Sequence, residues 1–256
     1  MKEKLKKISV LKYIAASYKA TRNRTGWGKK IGGLTDYFRD LKKFRKLPHN
    51  SSIPCETKDL YPRIYDKTAN TDIDPVYFLQ GTWCAKKVFD NKPSRHFDIG
   101  SQAIMVGIIS QFVPTTMVDI RSLSIDLPGL SFISGSILAL PFENSSLASL
   151  SSICVIEHIG LGRYGDSLDQ FGTEKAAKEL TRVLAPQGNL YISVPVDSTS
   201  KVYFNAHRAF TREHILKIFE GLDLAEERYI YGRNMTLQYR ADKSFGTGLF
   251  HFKKRT

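Results

Sequence analysis

The run HFDIGSQAIMVGIISQFVPTTMVD, residues 96–119, decides how this chain is predicted to fold. It has the pattern of a buried strand, a glycine-containing turn, a helix and a second strand that ends in an acid. Asp98 and Gly100 lie where the first strand gives way to its turn, and Asp119 follows Asp98 by 21 positions. In a doubly wound α/β sheet, this spacing brings a carboxylate beside the first turn, where it can accept hydrogen bonds from ribose hydroxyls. We therefore predict a site for a nucleoside-bearing cofactor.

The segments after this run continue to alternate between strand and helix patterns. Alternation of this kind predicts right-handed crossovers and a mostly parallel sheet. The last two apolar runs are predicted to form an antiparallel pair. We expect strands near 131–134, 151–156, 189–194, 223–231 and 247–252, and helices over 75–90, 102–112, 173–184 and 211–220.

Composition limits the class of protein. A chain of 256 residues with 42% hydrophobic residues is an ordinary globular protein with room for a sizeable core. Its three cysteines, Cys55, Cys84 and Cys154, are widely spaced and odd in number. This argues against a disulfide framework or a thiolate metal site and predicts a cytoplasmic protein. No apolar run approaches the roughly 18–20 residues that a membrane-spanning helix needs.

The positive charge is concentrated at the N-terminus. Residues 1–50 hold fifteen Lys or Arg and three acids, so they carry almost all of the net charge of +13. Apolar residues recur at helical spacing from Leu5 to Tyr18, which predicts a basic amphipathic helix. Such a helix can pack on its own domain, rest on an anionic membrane through residues 1–30, or bind nucleic acid, and we rank the three in that order.

A second helical run is expected over Thr35–Phe44, after a glycine-containing break at Gly26–Gly33. We therefore predict two parts: a basic, mainly helical extension over residues 1–73 and an α/β domain over residues 74–256.

Motifs further along the chain carry a resemblance to a known class of enzymes. After the D-x-G turn and the second acid come LPFENSSL (140–147), VIEH (155–158) and RVLAPQG (182–188). In this order, over about residues 96–196, the chain resembles the class I S-adenosylmethionine-dependent methyltransferases. The resemblance implies a Rossmann-like α/β sandwich with a seven-stranded, mostly parallel sheet, and S-adenosylmethionine as cofactor.

A narrower resemblance rests on two runs, EHIGLGRYGD (157–166) and FNAHRAF (204–210). They are similar to a methyltransferase-like family called domain of unknown function 268. Members of that family often accompany surface-polysaccharide genes, so the resemblance implies polysaccharide biosynthesis and a sugar or glycoconjugate acceptor.

The resemblance also implies which residues hold the cofactor. The turn of Asp98, Gly100 and Ser101 would lie under its methionine part, Asp119 would take the ribose hydroxyls, and Ser136 and Ile137 would lie beside the adenine. Two departures from the family pattern leave weaker cofactor binding, or its loss, as an open alternative. The usual G-x-G is reduced to a single glycine, and Ser136 stands where an acid is usual.

Methyl transfer also needs a base and groups that position the acceptor. His158, at the end of the fourth strand, is the first candidate base, His207 is the alternative, and Glu157 would orient the base or a loop. A structural role for each of these residues is the competing interpretation. Five further polar side chains would face the acceptor: Arg163, Tyr164, Asp166, Asn205 and Arg208. The fork of Arg163 suits a phosphate or carboxylate.

These patterns predict transfer of a methyl group to oxygen, with nitrogen second, on a small polar or glycan-related acceptor. The rival hypothesis is a methyltransferase fold without catalysis that binds a partner or membrane. Modification of a nucleic-acid base is disfavoured because no [ND]-P-P-[FY] run follows the fourth strand. A nicotinamide site is disfavoured by the missing G-x-G-x-x-G, and a zinc site by the spacing of His and Cys.

Overall fold

The computed structural model of the protein describes residues 27–48, 52–240, 242 and 245–256. The predicted amphipathic helix between Leu5 and Tyr18 lies outside the described residues, as does most of the segment 1–30. Contacts within the chain divide it into two units between Asp72 and Ile73, and each unit is described by itself. None of the helices described is long and apolar enough to cross a membrane.

The first unit contains helix α1 (Trp27–Phe44) and a short 3-10 turn (Thr57–Asp59). The break predicted at Gly26–Gly33 is wrong for the described part, because α1 runs through Gly32 and Gly33. Gly33 lies close to Ile64: a Cβ built at Gly33 would come within 3.1 Å of both the Cβ and the carbonyl oxygen of Ile64. The glycine therefore permits a close approach here and does not end the helix.

The second unit is an α/β domain. Its helices are α2 (Pro75–Asn91), α3 (Ala103–Ile109), α4 (Gly172–Val183) and α5 (Arg212–Ile218). Its strands are β1 (His96–Ile99), β2 (Thr115–Asp119), β3 (Leu130–Ser134), β4 (Leu147–Ile153), β5 (Leu184–Asp197), β6 (Lys201–Tyr203), β7 (His207–Ala209), β8 (Leu222–Tyr231), β9 (Asn234–Thr236) and β10 (Phe245–Lys254).

The main sheet has the strand order β3-β2-β1-β4-β5-β10-β8-β9. The first five strands in this order are parallel, and β10 is antiparallel to both β5 and β8. The predicted Rossmann-like methyltransferase sandwich is thus confirmed, with an eighth strand beyond the seven expected. The extra strand, β9, pairs with β8 through a tight turn in which Gly232 has a φ of +62°.

Helices cover both faces of the sheet. One apolar cluster joins α2 and α3 to the sheet, and a second joins α4 and α5 to it. Successive residues of β5 enter opposite clusters: Leu190 and Ile192 pack with α4, whereas Tyr191 packs with α2. This two-fold alternation along a strand buried on both sides explains why the run near 189–194 is predicted as a strand, although β5 begins earlier, at Leu184, and ends later, at Asp197.

Two of the predicted helix starts have the caps that their sequence indicates. The Asp74 carboxylate accepts hydrogen bonds from the backbone N–H groups of Val76 and Tyr77, at 3.0 and 3.2 Å. The hydroxyl of Thr211 accepts one from His214 N–H at 3.2 Å. Polar side chains at these positions satisfy N–H groups that have no partner within the helix.

Some boundaries differ from the prediction. Strand β4 ends at Ile153, earlier than the expected 151–156, and Ile156–His158 form a 3-10 turn. Helix α3 spans only seven residues of the expected 102–112. The hairpin of β6 and β7 was not predicted, because its strands have three residues each and a short strand has little periodicity.

Candidate active site

A cleft opens at the carboxyl ends of β1, β2 and β4. It encloses about 670 Å³, a figure that includes space open to solvent. Seven of the predicted site residues line it: Gly100, Asp119, Ser136, Ile137, His158, Tyr164 and Asp166. The parallel strands bring residues distant in sequence to this one edge of the sheet.

The floor of the cleft is the turn after β1. Gly100 has a φ of +73°, and a Cβ there would come within 3.0 Å of a Val155 methyl group and 3.9 Å of an Asp119 carboxylate oxygen. A side chain would therefore fill the space between the turn and Asp119. This is the shape that a cofactor lying against the backbone requires.

Asp98 sets this turn from below and does not line the cleft. Its side chain is completely buried, and its carboxylate accepts hydrogen bonds from the N–H of Ser101 at 3.0 Å and the hydroxyl of Ser151. Burial raises the pKa of Asp98 to about 6, against the opposing effect of these hydrogen bonds. Ser101 is also used internally, because its hydroxyl accepts from Ile153 N–H at 2.9 Å. Both residues were predicted to bind cofactor, and the structure gives them the role of shaping the turn.

A buried chain of hydrogen bonds extends from Asp98 along the sheet. The Ser151 hydroxyl donates to Asp98, so it accepts from Nε2–H of His96 at 2.9 Å. Nδ1 of His96 then accepts from the Ser149 hydroxyl at 2.8 Å. Burial lowers the pKa of His96 to about 3, so the ring is neutral. This chain ties β1 to β4 beneath the cleft.

Asp119 ends β2 at the cleft wall with a carboxylate that is 8% exposed. It is held by Arg121 through three contacts: backbone N–H at 2.8 Å, Nε at 3.2 Å and an Nη at 3.1 Å. These hydrogen bonds to Asp119 raise the pKa of Arg121. The predicted ribose acceptor is thus in the expected place, and it has a cationic partner that the sequence analysis did not single out.

The side of the cleft predicted for adenine is mainly apolar. Ile137 is 6% exposed, and Ile120 and Leu138 also line the cleft. The Ser136 hydroxyl accepts from Leu138 N–H at 3.2 Å, which fixes this turn. A planar, weakly polar ring fits between such side chains. Together with the Gly100 turn and the Asp119 carboxylate, these residues fit an adenosyl group.

Glu157 and His158 lie in the 3-10 turn after β4. Glu157 is 1% exposed, and among the described residues its Oε2 has no hydrogen-bond partner. Burial raises the pKa of Glu157 to about 8. His158 faces the cleft, and its Nδ1–H donates to the carbonyl of Ala206 at 2.7 Å. Burial lowers the pKa of His158 to about 4, so at neutral pH the ring is neutral with Nε2 unprotonated.

Two further groups near this turn were not predicted. Cys154 lines the cleft with a φ of +53°, and its thiol donates to the side-chain oxygen of Gln80 at 3.1 Å. Burial is the main cause of the raised pKa of Tyr77, in the first turn of α2, and Cys154, Tyr164 and Glu157 make smaller contributions to it. No spacing along the sequence connects Tyr77 to residues some 80 positions later, so only the fold reveals it.

The loop after the 3-10 turn is organised by Asp166. Its carboxylate accepts from the backbone N–H groups of Gly160, Gly162 and Tyr164, at 2.6, 3.4 and 3.3 Å. Burial alone would raise its pKa, but these donors outweigh it and the pKa is lowered. Asp166 therefore lines the cleft as the centre of a loop whose glycines have positive φ. The predicted contact of Asp166 with the acceptor competes with these three hydrogen bonds to the loop backbone.

Arg208 clamps the same loop from β7. Arg208 is 7% exposed, and its guanidinium donates to the carbonyls of Ile159, Asp169 and Gln170, at 2.6, 2.9 and 3.2 Å. The structure does not place it in the cleft, so its predicted contact with the acceptor gives way to a structural role. A charged residue next to a motif suggests contact with a ligand, but the sequence does not show that Arg208 is buried.

The remaining predicted residues lie around the β6–β7 turn. Asn205 is in that turn with a φ of +62°, and its amide lies 3.5 Å from the carbonyl of Leu161. The His207 ring packs between Tyr203 and Phe245, outside the cleft lining, and among the described residues its Nε2 has no partner. Arg163 is exposed and donates to Ala206 O at 2.9 Å. The structure therefore favours His158 over His207 as a cleft-facing base.

Metal ligation has no support in this part of the molecule. Among the residues that the structure describes, no group of three or more His, Cys, Asp or Glu side chains is arranged to hold a metal ion.

Comparison with protein families supports the narrower resemblance. Residues 141–256, a little under half of the chain, match the family model described as "Caenorhabditis protein of unknown function, DUF268". Both runs that suggested this family, 157–166 and 204–210, lie inside the match, and the predicted resemblance is confirmed. A search of functionally curated proteins gave no match.

Solved structures establish the fold. The N-methyltransferase NodS from Bradyrhizobium japonicum WM9, in complex with S-adenosyl-L-homocysteine, is similar with a TM-score of 0.52 and 17% identity over 73% of this chain and 94% of that one. A putative sarcosine dimethylglycine methyltransferase from Galdieria sulphuraria gives 0.52 and 13% over 72% and 92%. The [4+2]-cyclase SpnF gives 0.52 and 11% over 69% and 80%. The domain therefore has the class I methyltransferase fold. SpnF has a similar fold, although it is named for a cyclase activity.

The clamp formed by Arg208 leads to a test of stability. Arg208→Met removes its donors and leaves three loop carbonyls short of partners, so the free energy of unfolding should fall by about 2–3 kcal/mol. Urea denaturation measures this, with the exposed Arg95→Met as the matched control. Equal, small losses in the two variants would show that Arg208 does not hold the loop.

The raised pKa of Glu157 leads to a test of pH dependence. Between its ordinary pKa of 4.5 and about 8, the folded chain keeps a proton that the unfolded chain has lost. This group therefore makes the free energy of unfolding fall as pH rises through that window. Glu157→Gln abolishes the titration, so the variant should gain stability relative to wild type from pH 5 to 8, by at most about 1.4 kcal/mol per pH unit.

Urea denaturation at each pH unit measures this difference, with the exposed Glu143→Gln as control. A stability difference between wild type and Glu157→Gln that stays constant across the range would contradict the assignment.

Proposed function

We propose that this protein transfers a methyl group from S-adenosylmethionine to an oxygen, or with lower preference a nitrogen, of a small polar or glycan-related acceptor. The observation that supports this most is the pairing of the open Gly100 turn with the Asp119 carboxylate in one cleft. When bound, S-adenosylmethionine supplies a methyl group on a positively charged sulfur, already activated for transfer. The protein then has to hold the cofactor, align the acceptor with the methyl group and remove the acceptor's proton.

Holding the cofactor falls to one side of the cleft. Gly100 leaves space for the methionine part, Asp119 accepts the ribose hydroxyls, and Ile137 with Ser136 borders the adenine. The bidentate geometry of a carboxylate matches two adjacent hydroxyls. NodS supports this assignment in that a protein of the same fold was solved with the demethylated cofactor.

Removing the proton falls to His158. Its Nδ1–H donates to Ala206 O, which fixes the tautomer and leaves Nε2 to accept a proton from the acceptor hydroxyl. Its lowered pKa of about 4 makes it a weak base. Such a base takes the proton while the acceptor oxygen is forming its bond to the methyl carbon. The hydroxyl becomes acidic only as its oxygen shares a lone pair in that bond. The O–H electron pair stays on oxygen.

A second candidate is a module with this fold that does not transfer methyl groups. Two observations favour it: the Asp119 carboxylate is engaged by Arg121, and the turn has only one glycine. The [4+2]-cyclase SpnF illustrates that a protein of similar fold can be named for another reaction. Binding and turnover have to be measured separately for this reason.

Calorimetric titration with S-adenosylhomocysteine tests the cofactor site. We expect binding in the micromolar range by the wild-type chain and at least about tenfold weaker binding by Asp119→Asn, because the amide loses the charge that hydroxyl donors prefer. The exposed Asp126→Asn is the matched control. No heat from the wild-type chain would refute the proposal.

The acceptor class is tested with a donor that carries a radiolabelled methyl group, offered with a panel of nucleotide sugars and glycans. Label in the acceptor that is lost in Asp119→Asn supports methyl transfer. Cofactor binding without label in any acceptor supports the second candidate.

We further propose that residues 1–30 contact the cytoplasmic face of an anionic membrane. The support is their charge and apolar periodicity in the sequence. Removing residues 1–30 should abolish co-sedimentation with vesicles that contain phosphatidylserine, while affinity for S-adenosylhomocysteine stays unchanged. Equal sedimentation of the truncated and full chains would exclude this contact.

A further inference from the structure

Arg121 connects the two sides of the cleft. On one side it holds both oxygens of the Asp119 carboxylate. On the other, its guanidinium carbon lies 4.6 Å from the ring centre of Tyr164, in the loop after β4. All three residues line the cleft. A side chain that is 58% exposed thus lies at the cleft mouth while its charged end is paired with a nearly buried carboxylate.

A second guanidinium contacts the same aromatic ring. The Arg163 carbon is 5.1 Å from the ring centre of Tyr164. Arg163 donates to the carbonyl of Ala206 and, among the described residues, has no carboxylate within ion-pair distance. Tyr164 therefore lies in contact with two arginines at the mouth, each attracted to the face of its ring.

Among the described residues, the neighbouring acids other than Asp119 form no ion pair with either arginine. The Asp166 carboxylate is occupied by three backbone N–H groups of its own loop. Glu157 is buried, and its raised pKa of about 8 keeps it protonated at neutral pH. Asp119 is the ion-pair partner of Arg121, so a ligand that takes the Asp119 oxygens leaves both guanidinium groups beside Tyr164 without a carboxylate within ion-pair distance.

We propose that Arg121 couples the two ligands of the cleft: ribose hydroxyls displace it from Asp119, and Arg121 and Arg163 then bind a phosphate or carboxylate group of the acceptor. This rests on the proposed function and narrows its acceptor to an anionic molecule. Guanidinium groups bind both oxyanions through paired N–H donors, so the shared chemistry is the oxyanion. Coupling between two sites is reciprocal, so an oxyanion should also strengthen cofactor binding.

Titrations with S-adenosylhomocysteine test the displacement. Arg121→Gln should bind it about two- to fivefold more tightly than wild type, because the ribose no longer has to break an ion pair. Arg163→Gln should bind with wild-type affinity, since Arg163 does not touch Asp119. Weaker binding by Arg121→Gln would show that Arg121 orients Asp119 for the cofactor, and the proposal would fail.

The same titrations in the presence of inorganic pyrophosphate or D-glucuronate, at matched ionic strength, test the oxyanion site. In wild type, at least one of these anions should tighten S-adenosylhomocysteine binding by about threefold or more. The enhancement should be lost in both Arg121→Gln and Arg163→Gln and kept in the exposed Arg95→Gln. Enhancement by pyrophosphate alone indicates a phosphorylated acceptor, and by glucuronate alone a carboxylated one.

The outcomes separate this inference from the proposed function. Binding of S-adenosylhomocysteine by wild type with no anion effect, or with an anion effect unchanged by Arg121→Gln, overturns the inference and leaves the cofactor site intact. Absence of binding by wild type and every variant overturns both.

Discussion

The turn at the floor of the cleft depends on one buried carboxylate. Both oxygens of Asp98 are used, by Ser101 N–H and by the Ser151 hydroxyl, and its side chain has no exposed surface. Burying a carboxylate is costly unless it is hydrogen-bonded, and here its partners lie on the next turn and the next strand. These bonds fix the end of β1 against β4 and place Gly100 where only a glycine fits.

Much of the fold was predictable because its signals are local or repetitive. Strand-helix alternation, the two helix caps and the 21-residue interval between two aspartates give the class of sheet and the edge where ligands bind. The end of β4 was less accessible. The apolar run Ile153–Ile156 continues the strand pattern, but the chain leaves the sheet after Ile153, where Cys154 takes a positive φ. Apolar character alone does not show where pairing stops.

The sequence predicts which residues reach the cleft when their position at the end of a strand places them there. It does not predict which charged side chains are buried instead. Gly100, Asp119 and His158 reach the cleft because strands end there. Arg208 and Arg163 look alike in the sequence, yet one is 7% exposed and bonded to loop carbonyls while the other is exposed at the mouth. Arg121 was missed because its role comes from a loop more than 40 residues later, with which only the tertiary fold brings it into contact.

The two sequence runs that resemble the DUF268 family form one structural unit. His158 and Arg163, from the first run, both donate to the carbonyl of Ala206 in the second, at 2.7 and 2.9 Å. Arg208, from the second run, donates back to the carbonyl of Ile159 in the first. The matched region therefore builds the side of the cleft that we propose for the acceptor, whereas the side that we propose for the cofactor lies in residues 96–137, before the match begins. The family match and the geometry of residues 96–137 are consequently separate observations, and the two regions meet where Arg121 contacts Tyr164 in the loop after β4.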